Sequence, residues 1–120
     1  DYIYAAYPNS TGNEDRPKLF RTTDGGDNWE DLTENLGSII EWWGITNIET
    51  DPENPDKVWV ACGNFRGEAG AGEYRIAFSS NGGQTWTDFS EGLDYFPVND
   101  ILYVEGSNND DMFAATDIGV

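Results

Sequence analysis

Histidine is absent from this 120-residue sequence, and cysteine occurs only once, at Cys62. A histidine-dependent catalytic triad, a structural zinc site built from cysteine and histidine, and an intrachain disulfide are therefore excluded within this chain. The surrounding VWVACGN pattern is typical of a strand. We therefore expect the thiol of Cys62 to be buried and unreactive.

Basic residues are also scarce, because six Lys and Arg stand against 23 Asp and Glu, for a formal net charge of −17. Such a surface repels nucleic-acid phosphates and anionic lipid, so neither is an expected partner. No run approaches the roughly 18 apolar residues of a membrane-spanning helix, so membrane insertion is not expected either. The scattered acids have two interpretations: solubility in salty surroundings that screen their repulsion, or Ca²⁺ binding by loop carboxylates.

Helical periodicity is the third feature that the sequence lacks. Short runs rich in Val, Ile, Thr and aromatic residues alternate with Gly, Asn, Asp and Pro, which predicts an all-β protein. Only LTENLGSIIEWWG is compatible with a short helical turn. The predicted strands are YIYAAY, KLFRTT, NWEDLT, ITNIET, KVWVAC, YRIAFSS, TWTDFS, NDILYV and MFAAT.

An internal repeat is what the sequence does contain. The octet TTDGGDNW (residues 22–29) returns 57 positions later as SSNGGQTW, within an ungapped match of residues 18–36 to residues 75–93. A second pattern appears three times, as DYIYAA, DKVWVA and DDMFAA, beginning at Asp1, Asp56 and Asp110. The repeating unit is about 55 residues long, near the periods that are typical of solenoids, propellers and arrays.

Each unit holds about four short strands, which is the design of a β-propeller blade. We therefore predict a single propeller fragment over residues 1–120, with about two four-stranded antiparallel blades and breaks near residues 37–44 and 94–97. Because a complete propeller has about four to eight blades, we expect the rest of the propeller, or neighbouring protein chains, as partners. A small two-sheet sandwich is the rival all-β interpretation.

The two octets lie where a hairpin turn is expected between the third and fourth strands of each unit. Their glycine pairs supply residues free to adopt positive φ. Asp24 and Asn81 are placed to accept hydrogen bonds from the backbone that follows, and Trp29 and Trp86 are expected to fold back and cover the turn. Because the exchange of Asp for Asn keeps the acceptor and removes the charge, the pattern indicates a structural turn and not a general base.

The motif S/T-x-D/N-x-G-x-x-W resembles the Asp-box, or bacterial neuraminidase repeat, of sialidases, sortilin-like receptors, xyloglucan hydrolases and large secreted bacterial propellers. DPENPDKVWVACGN resembles the step between blades of sortilin-like and xyloglucanase-like repeats, and the segment from GLDYF to TDIGV resembles the closing part of large secreted bacterial propellers. The resemblance therefore covers nearly the whole chain. It implies an extracellular or cell-surface protein of bacterial type, with the Asp-box in a structural role away from any active site. The matching residues are Thr22, Asp24, Gly26 and Trp29 in the first copy and Ser79, Asn81, Gly83 and Trp86 in the second.

The function expected for such a module is a non-catalytic scaffold or a recognition surface for glycan or protein. The candidate ligand-binding residues are two aromatic pairs at equivalent places in successive units, Trp42 with Trp43 and Tyr95 with Phe96. Adjacent residues of an extended segment point to opposite faces, so one of each pair is a candidate stacking platform. The alternative is that both members of each pair pack in the core.

The enzymatic alternative is part of a glycoside hydrolase, xyloglucanase-like or sialidase-like, with the rest of the active site outside this chain. Asp117 in TDIG resembles a catalytic Asp of xyloglucan hydrolases and is the weak catalytic candidate, since hydrolysis needs a second carboxylate about 5 to 9.5 Å away. The same four residues also occur in blades without a catalytic role. A sialidase additionally needs an arginine cluster for the substrate carboxylate, whereas two of the four Arg here occupy nearly equivalent strand positions.

Two acid-rich turns, DPENPD and EGSNNDD, are the weak candidates for a metal site. Their carboxylates and carbonyls are the ligands that Ca²⁺ prefers, but neither turn has the D-x-D-x-D-G ladder of an EF-hand. Ordinary solvated turns are the other interpretation, and no cofactor besides Ca²⁺ is considered. The candidate ligands are Asp51, Asp56, Asp110 and Asp111.

Overall fold

The computed structural model describes residues 1–7, 17–37, 44–63, 75–93 and 96–120. Within these ranges the chain is mostly strand with one short helix, which confirms the all-β class, and no helix has the length and hydropathy that a membrane crossing requires. The short helix falls in the one segment that the sequence marked as compatible with a helical turn. The elements are β1 (Ile3–Tyr7), β2 (Lys18–Thr22), β3 (Glu30–Asp31), α1 (Thr33–Leu36), β4 (Ile45–Thr50), β5 (Val58–Cys62), β6 (Ile76–Ser79), β7 (Thr87–Asp88), β8 (Val98–Tyr103) and β9 (Met112–Thr116).

The strands form three antiparallel sheets, each following the order of the chain. The first sheet is β1-β2-β3, the second is β4-β5-β6-β7, and the third is β8-β9. The register of β4 on β5 is interrupted between Ile45 and Asn47, and the register of β8 on β9 is interrupted at the equivalent place, between Val98 and Asp100. The repeat therefore extends from the sequence to a local irregularity of the backbone.

The second sheet is covered on both faces. All five residues of β5 are buried, and they alternate between two separate cores. Val58, Val60 and Cys62 pack in a core shared with the first sheet, whereas Trp59 and Ala61 pack in a core shared with the third sheet. A continuous apolar strand such as VWVAC is expected where both faces are covered. The arrangement differs from a two-sheet sandwich, in which the outward-facing residues of each strand are polar.

Eight positions of the first core have their repeat equivalents in the second core. The first sheet packs on the second with residues that are equivalent, in the sequence repeat, to those with which the second sheet packs on the third. The covering residues are Tyr4, Ala6, Leu19 and Leu36 in the first core and Trp59, Ala61, Ile76 and Leu93 in the second. The covered residues are Ile45, Ile48, Val58 and Val60 in the first core and Val98, Ile101, Met112 and Ala114 in the second. One sheet-on-sheet interface therefore occurs twice in the chain.

Candidate functional site

The first octet forms a turn closed by side-chain hydrogen bonds. The Thr22 hydroxyl donates to the Asp24 carboxylate at 2.7 Å and accepts from the Gly26 N–H at 3.0 Å. Asp24 also accepts from the Asn28 backbone N–H at 2.9 Å and from the Asn28 side-chain amide at 2.7 Å. These hydrogen bonds, with that from Thr22 the largest, hold the pKa of Asp24 well below its usual range. Gly25 and Gly26 have φ of +81° and +109°, which favours glycine at both positions.

The second octet repeats this turn with an amide in place of the carboxylate. The Ser79 hydroxyl donates to Asn81 Oδ1 at 2.9 Å and accepts from the Gly83 N–H at 2.8 Å. Asn81 Oδ1 accepts from the Thr85 N–H at 2.9 Å, and Asn81 Nδ2 donates to the Thr85 hydroxyl at 2.8 Å. The acceptor at the third position of the octet therefore closes the turn in both copies, and its charge is not needed.

The two octet tryptophans make the same hydrogen bond in different surroundings. Trp29 Nε1 donates to the Gly26 carbonyl and Trp86 Nε1 to the Gly83 carbonyl, each at 3.1 Å. Trp86 is only 9% exposed, but Trp29 is 46% exposed, so the expectation that both would bury a large apolar surface is wrong for Trp29. The difference comes from the neighbouring sheet, because Leu32 belongs to the core that contains Trp86.

Polar side chains of the first sheet also contact the second octet. Arg21 Nη1 donates to the Gly82 carbonyl at 2.8 Å, and Arg21 Nη2 donates to Glu30 at 2.6 Å. Gln84 Nε2 donates to the other Glu30 oxygen at 2.9 Å, and Asn35 Nδ2 donates to the Gly83 carbonyl at 3.2 Å. The hydrogen bonds from Gln84 and then Arg21 lower the pKa of Glu30. The second turn is thus fixed in place by the sheet before it.

The face of the first sheet that points away from the second sheet is apolar and open. We call it the outer face and define it by Ile3, Ala5, Tyr7, Phe20 and Trp29. Ala5, Tyr7, Phe20 and Trp29 line a depression of about 280 Å³, and the rings of Tyr7 and Phe20 meet edge to face at 6.1 Å. Sequence reasoning singled out neither Tyr7 nor Phe20. The repeat alignment could have identified these two residues, because their positions correspond to Cys62 and Ala77, which are both buried.

A second apolar groove lies beside the predicted binding residue Phe96. The groove has a volume of about 220 Å³, and Leu93, Phe96, Ala114, Ile118 and Val120 contribute its apolar lining. Phe96 is 38% exposed, as a contact residue needs to be. The other predicted binding residues, Trp42, Trp43 and Tyr95, lie outside the described residues.

The catalytic candidate Asp117 lies next to this groove and is held by an amide. Asn99 Nδ2 donates to the Asp117 carboxylate at 2.7 Å. The Thr116 hydroxyl donates to the Gly119 carbonyl at 2.8 Å, which closes the turn that carries Asp117. The hydrogen-bond partner of Asp117 among the described residues is thus a neutral group, and the arrangement positions the carboxylate without supplying the second acid that hydrolysis requires.

The four calcium candidates are divided between an ion pair and turn contacts. Lys57 Nζ lies 2.7 and 2.9 Å from the two oxygens of Asp110 and 3.9 Å from Asp51. Asp51 Oδ1 accepts from the Glu53 N–H at 2.8 Å. The Lys57 ammonium therefore occupies the place between Asp51 and Asp110, and its hydrogen bond to Asp110 raises the pKa of Lys57.

The remaining two calcium candidates each accept a hydrogen bond, Asp111 through its side chain and Asp56 through its backbone carbonyl. Asp111 accepts from the Ser107 hydroxyl at 2.8 Å, and the Asp56 carbonyl accepts from the Gly82 N–H at 2.8 Å. Across the part of the chain that the structure describes, no three acidic or Cys side chains converge as metal ligands. Cys62 is buried, as expected, and its burial raises its pKa to about 12.

No protein-family model and no curated protein matches the sequence.

Proposed function

We propose that the chain is a segment of an Asp-box β-propeller and acts as a non-catalytic scaffold or recognition module for glycan or protein. The extracellular or cell-surface location that the sequence resemblance implies is part of this proposal. Its partners are further propeller sheets and a ligand at the groove beside Phe96.

The propeller architecture is supported by the interface that occurs twice. Successive blades are antiparallel sheets whose strands follow the chain order and which stack face to face. The second sheet has four such strands, and it stacks on the first and third sheets through equivalent residues. The two matching octet turns support the Asp-box assignment, because Thr22 and Ser79 bind equivalent atoms. A single blade has two apolar faces and needs a neighbour on each, as the second sheet has.

The recognition role is supported by one observation, the open apolar groove that Phe96 lines together with Ile118 and Val120. Exposed aromatic residues that line a concave surface are typical binding elements for sugars and protein side chains. The groove lies where the second sheet ends and the third begins, so its lining is positioned by two sheets.

The alternative function, part of a glycoside hydrolase, depends on Asp117. The position of Asp117 beside Ile118, a groove residue, favours this candidate, but its amide partner Asn99 does not supply the second acid. The non-catalytic role therefore accounts for the described geometry with fewer additional groups.

A glycan-array screen of the intact chain, with and without added Ca²⁺, tests the recognition role. We expect a bound glycan class whose affinity falls about tenfold or more in Phe96→Ala, which corresponds to about 1.4 kcal/mol. Phe113→Ala is the matched control, because Phe113 is another exposed aromatic that does not line the groove. A Trp42→Ala, Trp43→Ala variant tests the other aromatic pair. Absence of any glycan binding, or an unchanged affinity in Phe96→Ala, contradicts glycan recognition at the groove.

Incubation with xyloglucan and with sialylated oligosaccharides separates the two functions. We expect no hydrolysis products, and Asp117→Asn is expected to leave glycan binding intact. Hydrolysis by the parent chain that disappears in Asp117→Asn establishes the enzymatic alternative instead.

A further inference from the structure

We propose that Asn81 in the second octet is a deamidation site, that the folded turn protects it from reaction, and that its aspartate product preserves the turn. The proposal concerns a covalent modification and does not depend on the recognition role. It rests on the sequence Asn81-Gly82 and on the contacts that hold both residues. Among the asparagines of the chain, Asn81 is the one that glycine follows.

The chemistry needs no reagent other than water. Asparagine is a labile residue, and a following glycine leaves its own nitrogen unshielded because it has no Cβ. The backbone nitrogen of Gly82 attacks Cγ of Asn81, so a new C–N bond forms. The bond from Cγ to Nδ2 breaks, and ammonia leaves with the proton that the Gly82 nitrogen loses. Water then opens the cyclic imide at one of its two carbonyls. The product is aspartate or isoaspartate, and in isoaspartate the main chain runs through Cβ and Cγ.

The attacking nitrogen of Gly82 is held by a hydrogen bond to the turn before β5. Its N–H donates to the Asp56 carbonyl at 2.8 Å. Gly82 is also buried, and its own carbonyl accepts from Arg21 Nη1 at 2.8 Å. A Cβ placed on Gly82 would overlap that arginine nitrogen, so the glycine is closely covered. Because attack requires the nitrogen to leave the Asp56 carbonyl and to give up its proton, these contacts oppose the first step.

The attacked side chain of Asn81 is fixed by three hydrogen bonds. Its Oδ1 accepts from the Ser79 hydroxyl at 2.9 Å and from the Thr85 N–H at 2.9 Å. Its Nδ2 donates to the Thr85 hydroxyl at 2.8 Å. Ring closure must disturb these bonds as well as the one at Gly82. We therefore expect deamidation to proceed through a locally opened turn, at a rate set by how often the turn opens.

The first octet shows why an aspartate at position 81 preserves the turn. Asp24 accepts from a hydroxyl two residues before it and from a backbone N–H four residues after it, and Asn81 accepts from the equivalent groups. The Thr85 hydroxyl accepts from Asn81 and can rotate to donate to a carboxylate instead. Isoaspartate, by contrast, lengthens the main chain by one carbon. It therefore displaces the Gly83 N–H, which now donates to the Ser79 hydroxyl at 2.8 Å.

The first octet also provides a matched turn that is less firmly held. The Gly25 N–H donates to the carbonyl of Asp1, the repeat equivalent of Asp56, at 3.1 Å. Gly25 is exposed, however, and a Cβ placed on it would meet nothing within 4 Å. Asp24→Asn gives this turn the same Asn-Gly-Gly sequence that the second turn has. Position 24 of this variant should therefore deamidate faster than position 81 of the same molecule.

The test incubates the intact chain and Asp24→Asn at mildly alkaline pH, with and without guanidinium chloride, and follows deamidation by peptide mass spectrometry. Trypsin separates the two positions into different peptides, because Lys57 and Arg75 lie between them. We expect Asn81 to react about tenfold or more slowly in the native chain than in guanidinium chloride. In the native Asp24→Asn chain we expect a severalfold faster reaction at position 24 than at position 81. In guanidinium chloride the two positions should react at similar rates.

Two further variants test the cover and the product. Arg21→Met keeps the apolar stem and removes the donor to Gly82, so it should accelerate the reaction at Asn81 severalfold. Lys18→Met is the matched control, because Lys18 is an exposed cation of the same strand, and it should leave the rate unchanged. Asn81→Asp should unfold at a denaturant concentration close to that of the parent chain. Failure of Asn81→Asp to fold contradicts the claim that aspartate preserves the turn.

Two results overturn the protection of Asn81. One is an equal rate with and without denaturant, because the fold then provides no barrier. The other is a rate at position 81 that equals or exceeds the rate at position 24 in native Asp24→Asn. If Arg21→Met does not fold, the comparison of the two positions in Asp24→Asn decides alone.

Discussion

Leu32, which directly follows the first sheet, lies over Gly83 of the second octet turn: a Cβ at Gly83 would lie 2.6 Å from Leu32 Cδ1 and 3.3 Å from the Trp86 ring. The equivalent Gly26 has no such neighbour within 4 Å apart from Trp29. Two turns with the same hydrogen bonds therefore differ in one respect, the presence of a covering sheet. A variant in one octet therefore has a matched control in the other.

Alanine at Gly83 is expected to destabilise the chain more than alanine at Gly26. Both glycines have positive φ, so each substitution costs about 1 to 2 kcal/mol of backbone strain. Gly83→Ala adds overpacking against Leu32, for which about 1 to 3 kcal/mol is typical. Urea unfolding measures both free energies. Equal losses, or no partial recovery in the Leu32→Ala, Gly83→Ala double variant, contradict the contact.

Alanine at Trp86 is likewise expected to destabilise the chain more than alanine at Trp29. Trp86→Ala removes a buried ring from a packed core and should cost about 3 to 5 kcal/mol. Trp29→Ala removes a ring that is 46% exposed in the folded chain. Because this ring buries less apolar area on folding, the loss of unfolding free energy should be about 1 kcal/mol. Denaturant midpoints with unchanged slopes give both values. Similar costs for the two variants would mean that Trp29 is covered in solution.

Acid should weaken the first turn through Asp24. The folded pKa of Asp24 is depressed, so its contribution to stability is fully present above the unfolded pKa, about 3.9. That contribution is lost as the pH falls below this value towards the folded pKa. Asp24→Asn keeps the acceptor, as Asn81 does in the second turn, and should flatten the stability curve below about pH 4. Unfolding free energies of both chains across acidic pH measure this effect, and curves of identical shape contradict it.

The junction of the second and third sheets should depend on Lys57. Its ammonium lies 2.7 Å from Asp110 and 3.9 Å from Asp51, so Lys57→Met leaves two carboxylates near each other without their cation. We expect faster amide exchange in β8 and β9 at low salt, and recovery when added salt screens the repulsion. Asp110→Asn is the control, because it removes one of the two carboxylates. Exchange rates that do not change in Lys57→Met contradict this role.

The sequence predicted the strands well because each short element carries its own signal. Runs such as VWVAC and turns such as NGG are local features, and their repetition at a fixed spacing located the unit. Burial was harder to predict, because Trp29 and Trp86 lie in the same motif and differ only in their neighbours. Leu32 belongs to the core that contains Trp86, and no equivalent among the described residues covers Trp29. No local pattern carries that information.

The candidate site was predicted in part. Phe96 was singled out as an aromatic at a repeat boundary, and it lines a groove. Ile118 and Val120 were missed, because their part in the groove depends on how the turn after β9 folds back. The pairing of Lys57 with Asp110 was missed for a related reason, since the two residues lie 53 positions apart and meet only when the second and third sheets stack. Tyr7 and Phe20 can be identified by aligning the repeats, because they are apolar residues at positions that are buried in the second sheet.

The central claim is that the second sheet is packed on both faces by equivalent interfaces. Methyl nuclear Overhauser effects from two adjacent residues of β5 test it most directly. We predict that the Val60 methyls contact the first sheet, through Leu19 and Leu32, and that the Ala61 methyl contacts the third sheet, through Val98 and Ile101. Observation of only one of these two sets, with the other residue's methyl exposed to solvent, would contradict the claim.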